Sequence, residues 1–196
     1  MRFILVRHPE TEANKKKLIY GWTESEYSEK GEKQFDKVIE SLKDEKIDMA
    51  FCSPLLRARK LGEQLAKEHE LDCTIVEDLK EMNFGIFENM TYDEIQNKYS
   101  KQWDELLSNY KEYKIPDGES AEEVYNRATQ FIEGIDASGD TCLIVAHGMV
   151  VQFLIAYFLG LEIVESWRFR INPATVVDIV CKEDFNYIQG IIPTKV

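Results

Sequence analysis

Short apolar runs recur along the chain and alternate with longer segments that are richer in polar residues. The first run, Phe3-Ile4-Leu5-Val6, is continuously hydrophobic, which is typical of a strand buried on both faces. Later runs share this character, although the last one is weaker. The predicted strands cover residues 2–6, 48–52, 73–76, 141–146, 175–181 and 187–192.

The segments between these strands carry apolar residues at helical spacing and have recognisable start signals. Ser53-Pro54 predicts an N-cap followed by proline at the first helical position, and so a helix that runs to about His69. Thr91 and Ser120 each begin a capping-box pattern, with a glutamate three residues later. Further helices are predicted over 28–43 and 148–159.

Strands that alternate with helices imply βαβ units, which place a largely parallel sheet between two layers of helices. We therefore predict an α/β fold, a three-layer α/β/α sandwich, in a single domain over residues 1–196. Residues 83–118 fit the alternation poorly, and they are predicted to form a helical cap inserted over the sheet edge. Nearby aromatic residues either fill the cap core or line a pocket of nucleoside size: Trp22, Tyr92, Trp103, Tyr110 and Tyr113.

The balance of charge narrows the class of ligand. The chain has 24 basic and 36 acidic residues, which gives a formal net charge of −12. Binding to a phosphate backbone requires a basic surface, so we expect no nucleic-acid partner. A small phosphorylated ligand remains compatible with this charge, because it needs only a few cations focused in one pocket.

Hydrophobic segments and cysteine spacing indicate where the protein acts. The longest apolar stretch, Met149 to Leu159, is interrupted by Gln152 and is too short to span a bilayer. No signal-peptide pattern is present at the start. The 4 cysteines lack C-x-x-C spacing, which predicts reduced thiols and no zinc site. We therefore expect a cytoplasmic protein with no zinc site and no membrane partner.

Cationic and imidazole side chains lie where predicted strands end. Arg7 and His8 come at the end of the first strand, His147 follows the fourth, and Arg57 lies one turn into the helix after the second. In an open parallel sheet these ends meet at one edge, where ligands bind. Taken alone, the pair Arg7-His8 also fits a solvated rim. His147 alone fits a hydrogen-bonded core histidine, and Arg57 alone fits a surface ion pair. Their convergence favours a shared anion pocket.

Two guanidinium groups and two imidazoles match the charge and geometry of a phosphoryl group. A neutral imidazole between fixed cations is disfavoured in its protonated form, so it remains a nucleophile near neutral pH. The leaving oxygen then needs a proton, and Glu81 is the candidate donor because the apolar neighbours Met82 and Phe84 should raise its pKa. These residues favour phosphoryl transfer through a phosphohistidine.

An ordered series of motifs runs over nearly the whole chain. The motifs are Arg7-His8-x-Glu10-Thr11 with Asn14, Gly21-Trp22, Ser53-Pro54-Leu55-x-Arg57-Ala58, Glu81 with Gly85 and Glu88, Gly118-Glu119-Ser120 with Arg127, and Ala146-His147-Gly148. As a set they resemble the histidine phosphatase superfamily, in its phosphoglycerate mutase-like branch. The resemblance implies the same sandwich fold and implies no metal or organic cofactor.

The resemblance also implies roles for individual side chains. His8 would be the phosphorylated nucleophile, and Glu81 would donate a proton and later activate water. The phosphate-binding residues would be Arg7, Asn14, Arg57 and His147. Pro9 departs from the family pattern, which usually has glycine after the nucleophilic histidine. Proline lacks a backbone N–H and fixes φ at about −65°, so any contact made by that amide would be absent here.

The expected function is hydrolysis of a small phosphomonoester, with a small phosphorylated metabolite as substrate. The alternatives are a cofactor-dependent phosphoglycerate mutase and a regulatory protein that binds a phosphorylated ligand without turnover. The cap segment contains lysines but no arginine and is balanced by acids, which favours a substrate with one anionic group. Retention of Glu81 argues against a regulator, which needs no proton donor. Sugar phosphates, phosphoserine and α-ribazole phosphate are candidate substrates, as is a broad set of small esters.

Overall fold

One mixed sheet forms the centre of the molecule. The computed structural model describes residues 1–136, 141–194 and 196, and within them the sheet has six strands in the order β3-β2-β4-β1-β5-β6. The strands are β1 Arg2–Arg7, β2 Met49–Cys52, β3 Cys73–Ile75, β4 Thr141–Ala146, β5 Thr175–Cys181 and β6 Asn186–Pro193. Neighbouring strands from β3 through β2 and β4 to β1 are parallel. β5 is antiparallel to both of its neighbours, β1 and β6. Each predicted strand is present, with ends shifted by at most one residue.

Helices connect the strands and cover the sheet. They are α1 Glu12–Lys15, α2 Glu29–Leu42, α3 Leu56–Glu68, α4 Tyr92–Ser108, α5 Ala121–Glu133 and α6 Gly148–Phe158, with 3₁₀ turns at Glu77–Leu79, Gly85–Phe87 and Ile163–Arg168. The predicted capping boxes are present at Thr91 before α4 and at Ser120 before α5. Among the helices in the described ranges, none is both long and apolar enough to cross a membrane.

Both faces of β1 are buried, which explains its continuous hydrophobic run. Phe3 and Leu5 pack into a cluster with α5 and α6, whereas Ile4 and Val6 pack on the other face with α2 and α3. The side chains of a strand alternate between faces, so one apolar run supplies two cores. The predicted three-layer sandwich with a largely parallel sheet is confirmed.

The helix after β2 begins later than the sequence predicted. α3 starts at Leu56, and its N-cap is Leu55, which makes no side-chain capping hydrogen bond. The prediction that Ser53 caps this helix and that Pro54 opens it was wrong. The Ser53 hydroxyl accepts the N–H of Leu55 at 3.3 Å and lies 2.7 Å from the imidazole of His147, so it belongs to the strand-end region instead.

Residues 83–118 pack onto the same face of the sheet as α5 and α6. Phe87, Ile95 and Ile115 are fully buried in the cluster that contains Leu5 of β1. At the ends of this segment, the N–H of Glu119 donates to the carbonyl of Asn83 at 2.9 Å. The segment therefore shares its core with the sheet, and its two ends meet.

Candidate active site

Two histidines lie side by side where β1 and β4 end. His8 directly follows β1. Its main-chain N–H donates to the carbonyl of Ala146 at 3.0 Å, which extends the parallel pairing of β1 and β4 by one residue. His147 directly follows β4, and the centroids of the two imidazole rings are 5.2 Å apart. Both side chains are buried. The sheet thus joins two histidines that are far apart in sequence.

Arg7, the last residue of β1, lies against the start of α6. Its Nη1 donates to the carbonyl of Ile171 at 2.6 Å. A Cβ atom on Gly148 would lie 3.2 Å from the guanidinium carbon of Arg7, so the glycine allows this close approach. The Nε of Arg7 is buried and has no hydrogen-bond partner among the described residues. Because buried donors are normally paired, this N–H is available to a ligand.

Arg57 reaches the same place from the first turn of α3 and is 2% exposed. Its Nη1 donates to the carbonyl of Thr23 at 3.0 Å, and its Nη2 donates to the carbonyl of Gly21. The guanidinium carbon also lies 4.7 Å from the centre of the Tyr20 ring. These contacts fix the plane of the guanidinium. Its Nε is a second buried donor without a partner in the described chain.

The hydrogen bonds of His8 determine its tautomer. Nδ1 lies 2.7 Å from the carbonyl oxygen of Pro9, and a carbonyl can only accept, so Nδ1 carries the proton. Burial lowers the pKa of His8 well below its ordinary value, and the positive charges of Arg57 and Arg7 lower it further. The ring is therefore neutral near pH 7, with a free lone pair on Nε2. This is the form that a nucleophile requires.

His147 is oriented by Ser53. The Ser53 hydroxyl oxygen accepts the N–H of Leu55, so its own proton is free for Nε2 of His147, 2.7 Å away. Burial, followed by the charge of Arg57, lowers the pKa of His147 well below its ordinary value. A neutral ring that accepts at Nε2 carries its proton on Nδ1, which is buried and unpartnered within the described residues. His147 thus contributes a third available donor.

Glu81 is a buried carboxyl group beside these cations. Oε1 accepts the N–H of Met82 at 3.0 Å, and Oε2 accepts the N–H of Met149 at 3.3 Å. Burial raises the pKa of Glu81, and this effect outweighs the opposing hydrogen bonds and the charges of Arg57 and Arg7. A raised pKa favours the protonated form, which a general acid requires.

The amide of Asn14 is held by its oxygen. Oδ1 accepts from the N–H and the hydroxyl of Thr11, both at 3.1 Å, and from the hydroxyl of Tyr20 at 3.0 Å. The amide hydrogens therefore remain as donors on the side chain that lines the adjoining cavity. The structure places Asn14 among the residues that line this cavity.

A cavity of about 330 Å³ adjoins the cluster. Of the predicted site residues, Arg7, Asn14 and Glu81 line it. His8, Arg57 and His147 are buried and belong to the same strand-end cluster. Most other lining residues are apolar or aromatic, and the aromatic ones are Tyr20, Phe84, Trp103, Tyr110 and Trp167.

The sequence pattern predicted only part of the aromatic lining. Trp103 and Tyr110 were in the predicted set, whereas Trp22 is outside the lining and donates its indole N–H to the carbonyl of Glu81 at 2.9 Å. Trp167 and the role of Ser53 were missed. Ser53 had a usable signal, because it stands at the end of β2 on the same sheet edge as the histidines.

The cluster combines a neutral imidazole with a free lone pair, several unpartnered N–H donors and a carboxyl group with a raised pKa. Such a set can bind a tetrahedral anion, attack it and supply a proton. In the described ranges, no group of three or more histidine, cysteine, aspartate or glutamate side chains could hold a metal ion. The expectation that no cofactor is needed stays a prediction.

The fold and this cluster define an α/β protein with a two-histidine, two-arginine site at the strand ends. The chain belongs to the histidine phosphatase superfamily (branch 1), whose family model matches residues 3–192. The family predicted from the sequence motifs is confirmed.

Relatives with names or structures agree with this assignment. Phosphoserine phosphatase 1 of Hydrogenobacter thermophilus is 26% identical over 96% of this chain and 90% of its own length. A protein of Escherichia coli named "Probable phosphoglycerate mutase GpmB" is 28% identical over 97% of this chain and 89% of its own. The crystal structure of the α-ribazole phosphatase from Shigella flexneri superposes with a TM-score of 0.89, at 25% identity, over 100% of both chains. The prediction of an enzyme of the histidine phosphatase type is confirmed.

Proposed function

We propose that this histidine phosphatase hydrolyses small phosphomonoesters through a phosphoryl group carried on Nε2 of His8. The observation that carries the proposal is the state of His8. Its Nδ1 is committed to the carbonyl of Pro9, and burial beside Arg57 and Arg7 keeps the ring neutral. The free lone pair is therefore on the other nitrogen, within a cluster of cations.

Four side chains hold the phosphoryl group in this proposal: Arg7, Asn14, Arg57 and His147. The unpartnered Nε atoms of Arg7 and Arg57 and the Nδ1 of His147 supply N–H donors, and Asn14 adds its amide hydrogens. Fixed donors of this kind stabilise the charge on the equatorial oxygens during transfer without having to reorganise.

Phosphoryl transfer to the enzyme is the first step. The lone pair on His8 Nε2 attacks phosphorus, and the bond between phosphorus and the alcohol oxygen breaks. The proton on Glu81 passes to that oxygen, so the alcohol leaves neutral. Glu81 suits this role because its carboxyl group has a raised pKa and the residue lines the cavity beside the cluster.

Hydrolysis of the phosphohistidine completes the cycle. A water molecule attacks phosphorus while the carboxylate of Glu81 accepts its proton. The P–N bond breaks, its electrons return to Nε2 of His8, and inorganic phosphate leaves. Glu81 is then protonated and His8 is neutral, so both residues regain their starting states.

The experiment uses p-nitrophenyl phosphate and two histidine variants. His8→Ala should abolish release of p-nitrophenol, whereas His69→Ala, which changes a histidine remote from the cluster in the sequence, should not. Rapid quenching of the wild type should also trap a phosphoryl group on His8, detected by mass spectrometry of the digested protein. Undiminished turnover by His8→Ala would contradict the proposal.

A phosphoglycerate mutase is the second candidate, because a relative that is 28% identical bears that name. A mutase must hold a sugar acid while the phosphoryl group returns to it. A coupled assay on 3-phosphoglycerate, with and without 2,3-bisphosphoglycerate, separates the two activities. Mutase turnover that exceeds hydrolysis by orders of magnitude would replace hydrolysis as the main function.

The expected partner is a small phosphorylated metabolite in the cytoplasm. The net charge of −12 supports a ligand that enters one cationic pocket over a nucleic acid that needs a basic surface. A turnover screen over phosphorylated metabolites, with RNA and DNA fragments as binding controls, tests this expectation.

A further inference from the structure

Given transfer of the phosphoryl group to His8, which is the proposed function, the leaving alcohol occupies the cavity that Arg7 and Glu81 line. The cavity volume of about 330 Å³ lies in the range of small-ligand sites. A phosphoryl group fills only part of such a volume. The rest of the cavity therefore determines which alcohols fit.

Charge is confined to one part of this cavity. Among the described residues that line it, the charged ones are Arg7 and Glu81. Both belong to the strand-end cluster that is proposed to bind the phosphoryl group. The walls beyond them include Leu18, Leu106 and Met149. A carboxylate or an ammonium group on the alcohol would lose its hydration against an apolar wall that offers no opposite charge. This desolvation of an unpaired charge is unfavourable. An uncharged alcohol meets no such penalty.

Three aromatic side chains from two parts of the chain line the same walls. Trp103 comes from α4, Tyr110 follows α4, and Trp167 comes from the 3₁₀ turn Ile163–Arg168. The rings of Tyr110 and Trp167 are in contact, with centroids 5.3 Å apart. Trp167 remains 58% exposed, so much of its surface is free to cover a ligand.

Polar atoms of these aromatic residues also fit a ring-bearing ligand. The indole Nε1 of Trp103 is buried and has no hydrogen-bond partner in the part of the chain described here. It can donate to a heteroatom or to the face of a ring. Burial raises the pKa of Tyr110, so its hydroxyl keeps its proton.

We propose that this enzyme selects phosphomonoesters of uncharged alcohols that carry an aromatic ring. Trp103, Tyr110 and Trp167 are its specificity-determining residues. Phosphorylated amino acids and sugar acids are poor substrates, because their second charged group meets these walls.

The test compares alkyl esters, because their leaving groups differ little in intrinsic reactivity. The substrates are 2-phenylethyl phosphate, glycerol 1-phosphate, phosphoserine and 3-phosphoglycerate. The kcat/KM of the wild type should be at least about 10-fold higher for 2-phenylethyl phosphate than for each of the others.

Two substitutions locate the selectivity. Trp167→Ala should lower kcat/KM for 2-phenylethyl phosphate by roughly 10-fold and that for glycerol 1-phosphate much less. Phe185→Ala is the matched control, because Phe185 is an equally exposed aromatic residue, at 58%, outside the cavity lining. Leu107→Lys adds a cation at an exposed lining residue and should raise kcat/KM for 3-phosphoglycerate.

The outcomes separate the substrate class from the proposed function. His8-dependent turnover of p-nitrophenyl phosphate together with a preference for phosphoserine, 3-phosphoglycerate or glycerol 1-phosphate would overturn the substrate class alone. Equal effects of Trp167→Ala and Phe185→Ala would also overturn it. An absence of His8-dependent turnover on every ester would overturn both.

Discussion

The guanidinium of Arg127 donates a hydrogen bond to the main-chain carbonyl of Glu81, with 3.1 Å between Nη2 and the oxygen. Its Nη1 donates to the carbonyls of Asp78 at 2.6 Å and Lys80 at 2.7 Å. The carboxylate of Glu119 accepts from Nε at 3.0 Å and from Nη2 at 3.1 Å, so it holds the guanidinium in place. Arg127 is thus a positioning residue for the segment that carries Glu81.

Replacing Arg127 should therefore impair Glu81, the proposed proton donor, without removing it. Arg127→Ala should lower kcat/KM for 2-phenylethyl phosphate on the order of 10²-fold, because a displacement of about 1 Å has an effect of that size. The loss should be smaller with p-nitrophenyl phosphate, whose leaving group needs little protonation. Arg127→Lys keeps the charge but not the planar fork, so it should recover only part of the activity.

A loss from Arg127→Ala that is the same on both substrates would mean that Arg127 does not act through Glu81. Thermal unfolding of the variant is the control, because it reports any general loss of stability separately from kcat/KM.

Glu81→Gln tests the proton donor directly. The amide cannot donate an acidic proton, so kcat/KM with 2-phenylethyl phosphate, which reports the transfer to His8, should fall by roughly 10²- to 10⁴-fold. The fall with p-nitrophenyl phosphate should be much smaller. In the wild type, the rate with the alkyl ester should decrease as the pH rises through the raised pKa of Glu81, because the acid form is lost. Glu81→Gln should lack this decrease, and an unchanged pH profile would exclude Glu81 as the acid.

The strands and the histidine cluster follow from short-range sequence features. A run such as Phe3-Ile4-Leu5-Val6 is hydrophobic on every residue, so its ends are visible, and the cationic residues at those ends converge because parallel strands finish at one edge. The resemblance to a family then assigned roles to these residues.

Other contacts depend on tertiary structure, so local sequence patterns miss them or assign them to something else. Ser53-Pro54 looks like a helix start, but the Ser53 hydroxyl contacts His147, whose position directly after β4 is set by the sheet. Arg127 acts mainly on main-chain carbonyls, which are the same for every residue type. Trp167 reaches the cavity from a 3₁₀ turn that lies far along the chain from the other lining aromatics.

Removing the Ser53 hydroxyl should disturb the tautomer of His147. Ser53→Ala leaves Nε2 of His147 without its donor, so the proton is no longer fixed on Nδ1. We expect a fall of roughly 10-fold in kcat/KM, the cost of one charge-assisted hydrogen bond to the phosphoryl group. Nitrogen NMR of labelled histidine should show the change in tautomer. Ser53→Cys keeps a weak donor and should retain part of the wild-type behaviour, whereas an unaltered His147 spectrum in Ser53→Ala would contradict this role.

Pro9 supplies the main-chain carbonyl that orients the ring of His8. The Nδ1 of His8 lies 2.7 Å from that oxygen, and any residue at position 9 supplies the same carbonyl. Pro9→Gly should therefore preserve turnover of p-nitrophenyl phosphate to within a few-fold. It should lower the free energy of unfolding by at least ~0.4–1 kcal/mol, because glycine gives the unfolded chain more freedom. Chemical denaturation measures this change, with Pro9→Ala as an intermediate control. Abolished turnover in Pro9→Gly would mean that the proline itself is required.

The two buried histidines should make the fold sensitive to mild acid. Burial, with the charge of Arg57, lowers the pKa of His8 and His147 well below 6.5, the value that applies in the unfolded chain. As the pH falls below 6.5, these histidines become protonated in the unfolded chain but remain neutral in the folded protein. The free energy of unfolding, fully present above this pH, therefore decreases progressively. Each histidine can contribute a slope of up to about 1.4 kcal/mol per pH unit. Urea denaturation at pH 7.5, 6.5 and 5.5 measures the slope.

His147→Gln supplies the matched comparison for this acid sensitivity. It removes one of the two neutral rings, so its free energy of unfolding should fall less steeply with acidification than that of the wild type. Glu81 acts in the opposite sense, because its raised pKa favours the folded state as the pH falls toward 4.5. Both the wild type and His147→Gln contain Glu81, so its contribution largely cancels when their slopes are compared. Identical slopes in the wild type and His147→Gln would show that the folded protein accepts a proton on His147 as readily as the unfolded chain does. A protonated His147 would retain its Nδ1–H but add a positive charge beside Arg57, so the same measurement also tests the neutral state assumed for the phosphate pocket.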